Sequence, residues 1–391
     1  MYRYTEQVFV RDAPTVLSYA TLGCFTFWLY AFGPAVTLLR TELGFSYTLL
    51  GVYEVVLSLG AAVAGASFAW FARRLSRGAL LWSSALATIA GAGLFTLVRS
   101  VPGTLVAAGL FGMAGATLLT VIQAVLSDRH GSRRDRALTE ANIGAGASAV
   151  LAPLVLGALA AGVLGWRATF ALPAVVLVVL YLRYRREPLP APAHSEVGAG
   201  RSGRLPAACW LFALLTAFGS AIEFCLVYFA PQLLVHTGMT ATAASTALSA
   251  NYLGILLGRV GGARVTRAEG RTVMILSISL VVTAVGFALF WLPDQPILAV
   301  TGLFVCGVGI ANLYPLAMAL TLDASDGRED RANARSQVVL GLVAAASPYL
   351  LGALADGYGL ATGFAVVPAL IVLSALLLRS GLGLRTRAAA A

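Results

Sequence analysis

Apolar residues run through this chain in long unbroken stretches, and the polar positions between them are short and rich in arginine. A helix needs roughly 20 consecutive apolar residues to cross a bilayer. Twelve stretches reach that length, at about 16–39, 47–72, 79–98, 103–126, 137–161, 166–183, 206–234, 241–263, 272–292, 296–321, 335–355 and 361–379. Only AGVLGW separates the fifth from the sixth. The one long polar segment, REPLPAPAHSEVGAGRSGRLP, is rich in proline, glycine and alanine and reads as a flexible linker. It divides the stretches six and six. The pattern predicts an all-α membrane protein with a first six-helix bundle at 1–185, a linker at 186–205 and a second bundle at 206–391. The apolar stretch after MYRYTEQVFVRDAPTV is too long for a signal h-region and no A-x-A cleavage site follows, so the first helix is expected to be retained.

The halves are related. A shift of 195 residues lays Asp128 on Asp323 and Asp135-Arg136-Ala137 on Asp330-Arg331-Ala332. It also pairs Gly146 with Gly341, Pro153 with Pro348 and Gly157 with Gly352. Alanine and leucine matches mean little in this composition; the prolines, glycines and the Asp-Arg-Ala triplet carry the repeat. An even number of helices per half gives both halves the same orientation, related by an axis along the membrane normal.

Composition removes the alternatives. The chain is 59% hydrophobic and 11% charged, with a mean hydropathy of +0.84, where soluble domains carry about 25% charged residues. Soluble enzymes and nucleic-acid binders are excluded. The net charge is +10 and all 27 basic residues are arginine, a composition expected of a GC-rich bacterial genome. With the N-terminus in the cytoplasm, the arginine-rich loops near 73–77, 128–136, 183–187, 264–271 and 323–335 and the C-terminal tail all fall on the cytoplasmic side. The other side receives Arg40, Arg99 and Arg167. This asymmetry obeys the positive-inside rule and predicts a multi-pass protein of the bacterial inner membrane with both termini cytoplasmic. The four cysteines sit in apolar runs and the three histidines in loops, without metal-ligand spacing. No nucleotide or catalytic motif appears. No cofactor, metal or enzyme activity is expected, and a monomer is the default.

A six-plus-six parallel repeat resembles the major facilitator superfamily. In that family a basic loop of pattern G-x-x-x-D-R-x-G-R-R follows the second helix. GASFAWFARRLSRG keeps Arg74 and Arg77 at matching positions, with Arg73 in place of the aspartate and Ser76 in place of the second glycine. In the second half, GRVGGARVTRAEGR keeps Gly262, Arg267 and Arg271, with Thr266 in place of the aspartate. Gly165-Trp166-Arg167 before the sixth helix is similar to the family too. The resemblance implies a secondary active transporter that works by alternating access on a small organic solute bound between its bundles near the midplane. It leaves open a proton-coupled importer, a proton/drug antiporter and an organic-anion carrier. Drug antiporters of the family carry Gly-Pro-x-x-Gly-Gly on the fifth helix, but here Ala152 and Leu156 replace two of its glycines. Monocarboxylate carriers have an arginine in the eighth helix with an aspartate four residues earlier. Here Arg259 is preceded by Ile255.

Polar groups within the apolar stretches are the candidate chemistry, since a carboxylate at helix centre costs about 2.5–3.5 kcal/mol on insertion scales. Glu223, in GSAIEFCLVYFAP, has no arginine three or four residues away. It reads as a proton-coupling or substrate-binding carboxyl, or as an acid bonded across a helix interface. Glu54 lies nearer the outer interface, as a coupling carboxyl, a gate contact or a solvated position. Arg259 is an anion site or a snorkelling structural residue. Trp28, Tyr30, Gln123, Asn251, Tyr252, Asn312 and Tyr314 are substrate-facing or packing positions. Asn142 and Gln337, equivalent under the shift, are gate residues or helix-to-helix hydrogen bonds, and Glu140 and Arg335 are candidate gate ion pairs. Pro34, Pro231 and Pro315 are candidate bends. Protons, lipid and a small solute are the expected partners.

Overall fold

The computed structural model describes residues 9–190, 204–265 and 271–390. The described residues are helical nearly throughout. The helices are α1 Ala13–Leu43, α2 Tyr47–Ala72, α3 Arg77–Leu97, α4 Val101–His130, α5 Arg134–Ala160, α6 Ala171–Tyr184 and α7 Ala207–His236. There follow α8 Ala241–Val265, α9 Thr272–Trp291, α10 Pro296–Ile310, α11 Leu313–Asp323, α12 Glu329–Tyr358, the single turn α13 Leu360–Gly363 and α14 Val366–Ala390. Their starts follow local chemistry. Asp12 caps α1, accepting from the Thr15 N–H at 3.2 Å and from its hydroxyl at 2.6 Å, with Pro14 in the first turn where its missing N–H is harmless. Ser76 caps α3 through the Ala79 N–H.

Eleven spans among the described residues are long and apolar enough to cross a membrane. The helix that falls short is α8, which has 25 residues but carries Ser245, Ser249, Asn251 and Arg259. The tenth stretch is interrupted between Ile310 and Leu313. Pro315 has no N–H to continue the ladder, and its ring crowds the carbonyl four residues earlier, at Ala311. Pro34 and Pro231, by contrast, lie inside continuous helices. The arginine-rich stretch after the fourth helix is mostly helix, not loop, and leaves only the 3-10 turn Gly131–Arg133. His130 and His236 are accordingly helix-end residues; His194 lies outside the described residues.

The chain forms two compact units. One comprises Met1–Leu29, Leu59–Ala149 and Arg167–His194; the other comprises Tyr30–Ser58, Val150–Trp166 and Ser195–Ala391. The later parts of α1 and α5 and the earlier part of α2 thus pack in the second unit with α7, α8 and α12. Small residues make these approaches. A Cβ on Gly33 would stand 2.6 Å from Val227 of α7, and one on Gly51 2.6 Å from the Pro348 carbonyl of α12. Gly157 and Gly352, the repeat-related glycines, lie against Thr246 and Tyr47, so the Pro-x-x-x-Gly motif makes close contacts in both halves.

The repeat is visible within each unit. Gly91 of α3 faces the Phe111 backbone of α4, and Gly286 of α9 faces the Cys306 backbone of α10, at positions 195 apart. Thr88 bonds back to the Ser84 carbonyl at 2.7 Å, and Thr283 to the Ser279 carbonyl at 2.8 Å. Phe95 packs on Phe170, and Phe290 on Phe364.

Candidate functional site

The charged and aromatic candidates that converge lie in the second unit. Glu223 is half-buried on α7 and Arg259 is exposed on α8. The two interact electrostatically without closing to a direct ion pair among the described residues. Tyr252 stands two turns from Arg259 on the same face of α8 and is 2% exposed. Its ring meets that of Tyr30 from α1 edge-on, with centroids 4.6 Å apart. Both phenols interact with the Glu223 charge, and Tyr30 also with Arg259. The Tyr252 hydroxyl is buried and has no hydrogen-bond partner. Three helices therefore bring a carboxyl, a guanidinium and two phenols to one place.

Glu54 is a second intramembrane acid, and the solvated position among its sequence alternatives is not the one it takes. It is 1% exposed, accepting from Ser58 Oγ at 2.8 Å, and it interacts electrostatically with Tyr228 of α7. Tyr228 also interacts with Tyr252. The two acids thus flank a pair of interacting phenols on α7 and α8. Sequence reading missed Tyr228; its position five residues beyond Glu223 on the same helix was the available signal.

Other candidates are occupied elsewhere. Trp28 is fully buried in the first unit, donating its indole N–H to the Phe170 carbonyl at 2.9 Å and packing edge-on against Phe111, so it offers no surface to a solute. Asn251 is buried and donates to the Leu303 carbonyl at 2.9 Å, tying α8 to α10. Asn312 donates to the Gly258 carbonyl at 3.1 Å, bridging the α10–α11 interruption to α8. Gln123 is exposed on α4. Tyr314 accepts from Gln337 Nε2 at 3.0 Å.

Among the gate candidates, Arg77 pairs with Asp128 at 3.0 Å. Arg74 stacks on Trp70 at 3.9 Å. Asn142 bonds only back to the Leu138 carbonyl of its own helix, at 2.7 Å, because four-residue spacing puts that carbonyl within reach. Glu140 pairs with Arg11 at 2.8 Å and Arg136 at 3.1 Å. Arg271 and Arg335 are exposed, and Arg267 lies outside the described residues. An apolar surface cleft of about 350 Å³ on α3 and α4, lined by Ala87, Leu94, Leu110 and Met113, carries no polar chemistry. The described residues hold no cluster of metal-ligating side chains.

The profile of the Major Facilitator Superfamily matches residues 18–231 and 209–389. The chain belongs to that superfamily and is a multi-pass membrane transporter. It is 27% identical over 312 residues to the cyanate transport protein CynX of Escherichia coli (strain K12), spanning 76% of this chain and 77% of that protein. Its fold resembles the nucleoside transporter NupG, with a TM-score of 0.70 at 18% identity over 95% of this chain and 98% of the other. It also resembles the peptide transporter POT, with a TM-score of 0.75 at 16% identity over 96% and 95%.

Proposed function

We propose that this protein is a secondary active transporter that moves a small anionic solute by alternating access, coupled to protons through Glu223. The observation that carries the reading is the meeting of Glu223, Arg259, Tyr30 and Tyr252. Arg259 is an exposed cation on a membrane helix, suited to hold a carboxylate or a smaller anion. Glu223 is its electrostatic counterpart in the absence of solute. An anion arriving at Arg259 competes with the Glu223 charge, and protonation of Glu223 removes that competition, so proton and anion would travel together. The likeness to a cyanate transport protein supports an anion over a cation, and a cationic drug would be repelled by Arg259.

In this reading α8 is the twelfth span, and 1–185 and 206–391 are six-helix bundles joined by the linker 186–205. The protein acts as a monomer in the bacterial inner membrane with both termini cytoplasmic. Arg74, Arg77, Asn142, Arg267, Arg271 and Gln337 belong to the cytoplasmic gate, and Glu54 assists coupling.

The test is uptake of labelled cyanate and of a small monocarboxylate into proteoliposomes with the outside made acidic. Accumulation above equilibrium is expected for at least one solute. Glu223→Gln should abolish gradient-driven accumulation yet keep solute exchange, and Arg259→Gln should lose both. Full accumulation by Glu223→Gln overturns the coupling role.

A further inference from the structure

A second group of polar side chains, separate from the Glu223–Arg259 cluster, lies where α1 meets α7 within the second unit. Arg40 donates through Nη1 to Gln232 Oε1 at 3.1 Å, and its guanidinium lies over the Tyr47 ring, 3.9 Å from the centroid. Tyr47 in turn reaches His236 Nε2 at 3.4 Å. The remaining polar atoms have no partner. Arg40 Nε, Gln232 Nε2 and Thr37 Oγ1 are each buried without a hydrogen bond. Gln232 is 4% exposed and Thr37 0%. Gly33, Thr37 and Arg40 recur at helical spacing on one face of α1. Gly33 touches Val227 and Arg40 touches Gln232, which places Thr37 on the same seam.

The neighbouring carboxylates are committed elsewhere. Asp356 accepts from the Tyr47 and Thr48 N–H groups at 2.9 and 2.7 Å and from Thr48 Oγ1 at 2.6 Å, capping α2. Glu42 accepts from Trp166 Nε1 at 2.7 Å and, two residues along α1, points away from the Arg40 face. Among the described residues Arg40 has no carboxylate in ion-pair range. Because the Gln232 oxygen accepts from Arg40, the carboxamide nitrogen is left as a buried donor without a partner. The seam therefore presents one positive charge, an N–H edge, an NH₂ group and a hydroxyl, and no free acceptor beyond that hydroxyl.

We propose that this seam binds a small monovalent anion, a halide or an ion of similar size, held by Arg40, Gln232 and Thr37. One guanidinium among neutral donors matches one negative charge. The anion clasps α1 to α7, so its binding favours the arrangement in which these helices are packed. This goes beyond the solute site at Arg259 and does not depend on it.

The test compares the thermal stability of the purified protein in sodium chloride and in sodium gluconate at matched ionic strength, which equalises screening. Wild type should show a saturable rise in Tm of several degrees with chloride and not with gluconate. Arg40→Gln and Thr37→Val should lose that rise. Gln232→Glu ties a carboxylate beside Arg40; its Tm in gluconate should match that of chloride-saturated wild type, with no further response to chloride. This variant decides the question even where Arg40→Gln fails to fold. Arg259→Gln should keep the wild-type response. Equal responses of wild type to the two salts overturn the proposal. So does a chloride response that survives in Gln232→Glu, or one lost in Arg259→Gln but kept in Thr37→Val.

Discussion

At the scale of single residues, the central prediction concerns the balance between Glu223 and Arg259. Removing the guanidinium leaves a half-buried carboxylate without its compensating charge, whereas removing both leaves two neutral amides. Arg259→Gln should therefore lower Tm more than the Glu223→Gln/Arg259→Gln double variant does. A double-mutant cycle read by Tm should give a coupling of about 0.5–3 kcal/mol, at the lower end because Arg259 is exposed. Additive effects would mean that the two charges do not sense each other. A second residue-scale prediction concerns Asp12. Burial pushes its carboxyl upward, but hydrogen bonds from Thr15 and the Arg129 guanidinium outweigh burial and hold it below its ordinary value of 3.8. Its contribution to stability is then fully present above that value and is lost as pH falls through the folded-state value. The Tm advantage of wild type over Asp12→Asn should be constant near neutral pH and vanish in strong acid. Glu223 and Arg259 were each legible as intramembrane charges. Their association was not, because 36 positions of chain separate them and only the packing of α7 on α8 joins them. The surroundings of Glu54 were illegible for a related reason. Distance along a helix gives depth in the membrane but not which face meets Tyr228. In sequence Arg40 is one of three arginines on the side opposite the cytoplasmic loops, and nothing in its neighbours points to Gln232.

At the scale of elements, close approach decides what each helix tolerates. With lipid as solvent, association of membrane helices rests on packing, and small residues allow backbones to meet. Phe111 N lies 2.9 Å from a Cβ built on Gly91, and the equivalent Gly286 is tighter against Cys306. Gly91→Val and Gly286→Val should each destabilise by about 1–3 kcal/mol through overpacking, measured as loss of Tm in detergent. Gly93→Ala, where a Cβ meets nothing within 4 Å, should be neutral or stabilising by up to about 1 kcal/mol. Gains at all three positions would mean that helix propensity rather than packing governs these sites. The succession of helices was readable from apolar runs because lipid forces backbone polar groups to bond within helices. The ends were less readable. The last turns of α4, up to His130, and the first turns of α12, from Glu329, extend into charged sequence, since a helix need not stop where the hydrocarbon does. The interruption after Ile310 depends on Pro315 and on the Asn312 bond to Gly258, and only the proline was visible beforehand.

At the scale of the whole molecule, the distribution of arginine is the strongest global signal, and it predicts an orientation that can be measured directly. Loop arginines resist transfer across the membrane, so short arginine-rich loops stay in the cytoplasm. The stretches 73–77 and 128–136 and the C-terminal tail carry ten of the 27 arginines, while the loop between α7 and α8 carries none. Green fluorescent protein folds in the cytoplasm, and alkaline phosphatase becomes active after export to an oxidising compartment. A fluorescent fusion after Ala391 and one within 73–77 should therefore be bright, and phosphatase fusions at the same positions inactive. Phosphatase fused after Gly238 should be active. Reversing the bias, by placing arginines at Thr240 and Thr242 while neutralising Arg73, Arg74 and Arg77, should move part of the population to the opposite orientation. If the Gly238 fusion were inactive and the C-terminal fusion exported, the number of spans or the orientation would be wrong. An active Gly238 fusion together with an exported C-terminal fusion would single out α8, the helix whose polar residues also line the candidate site, as failing to span.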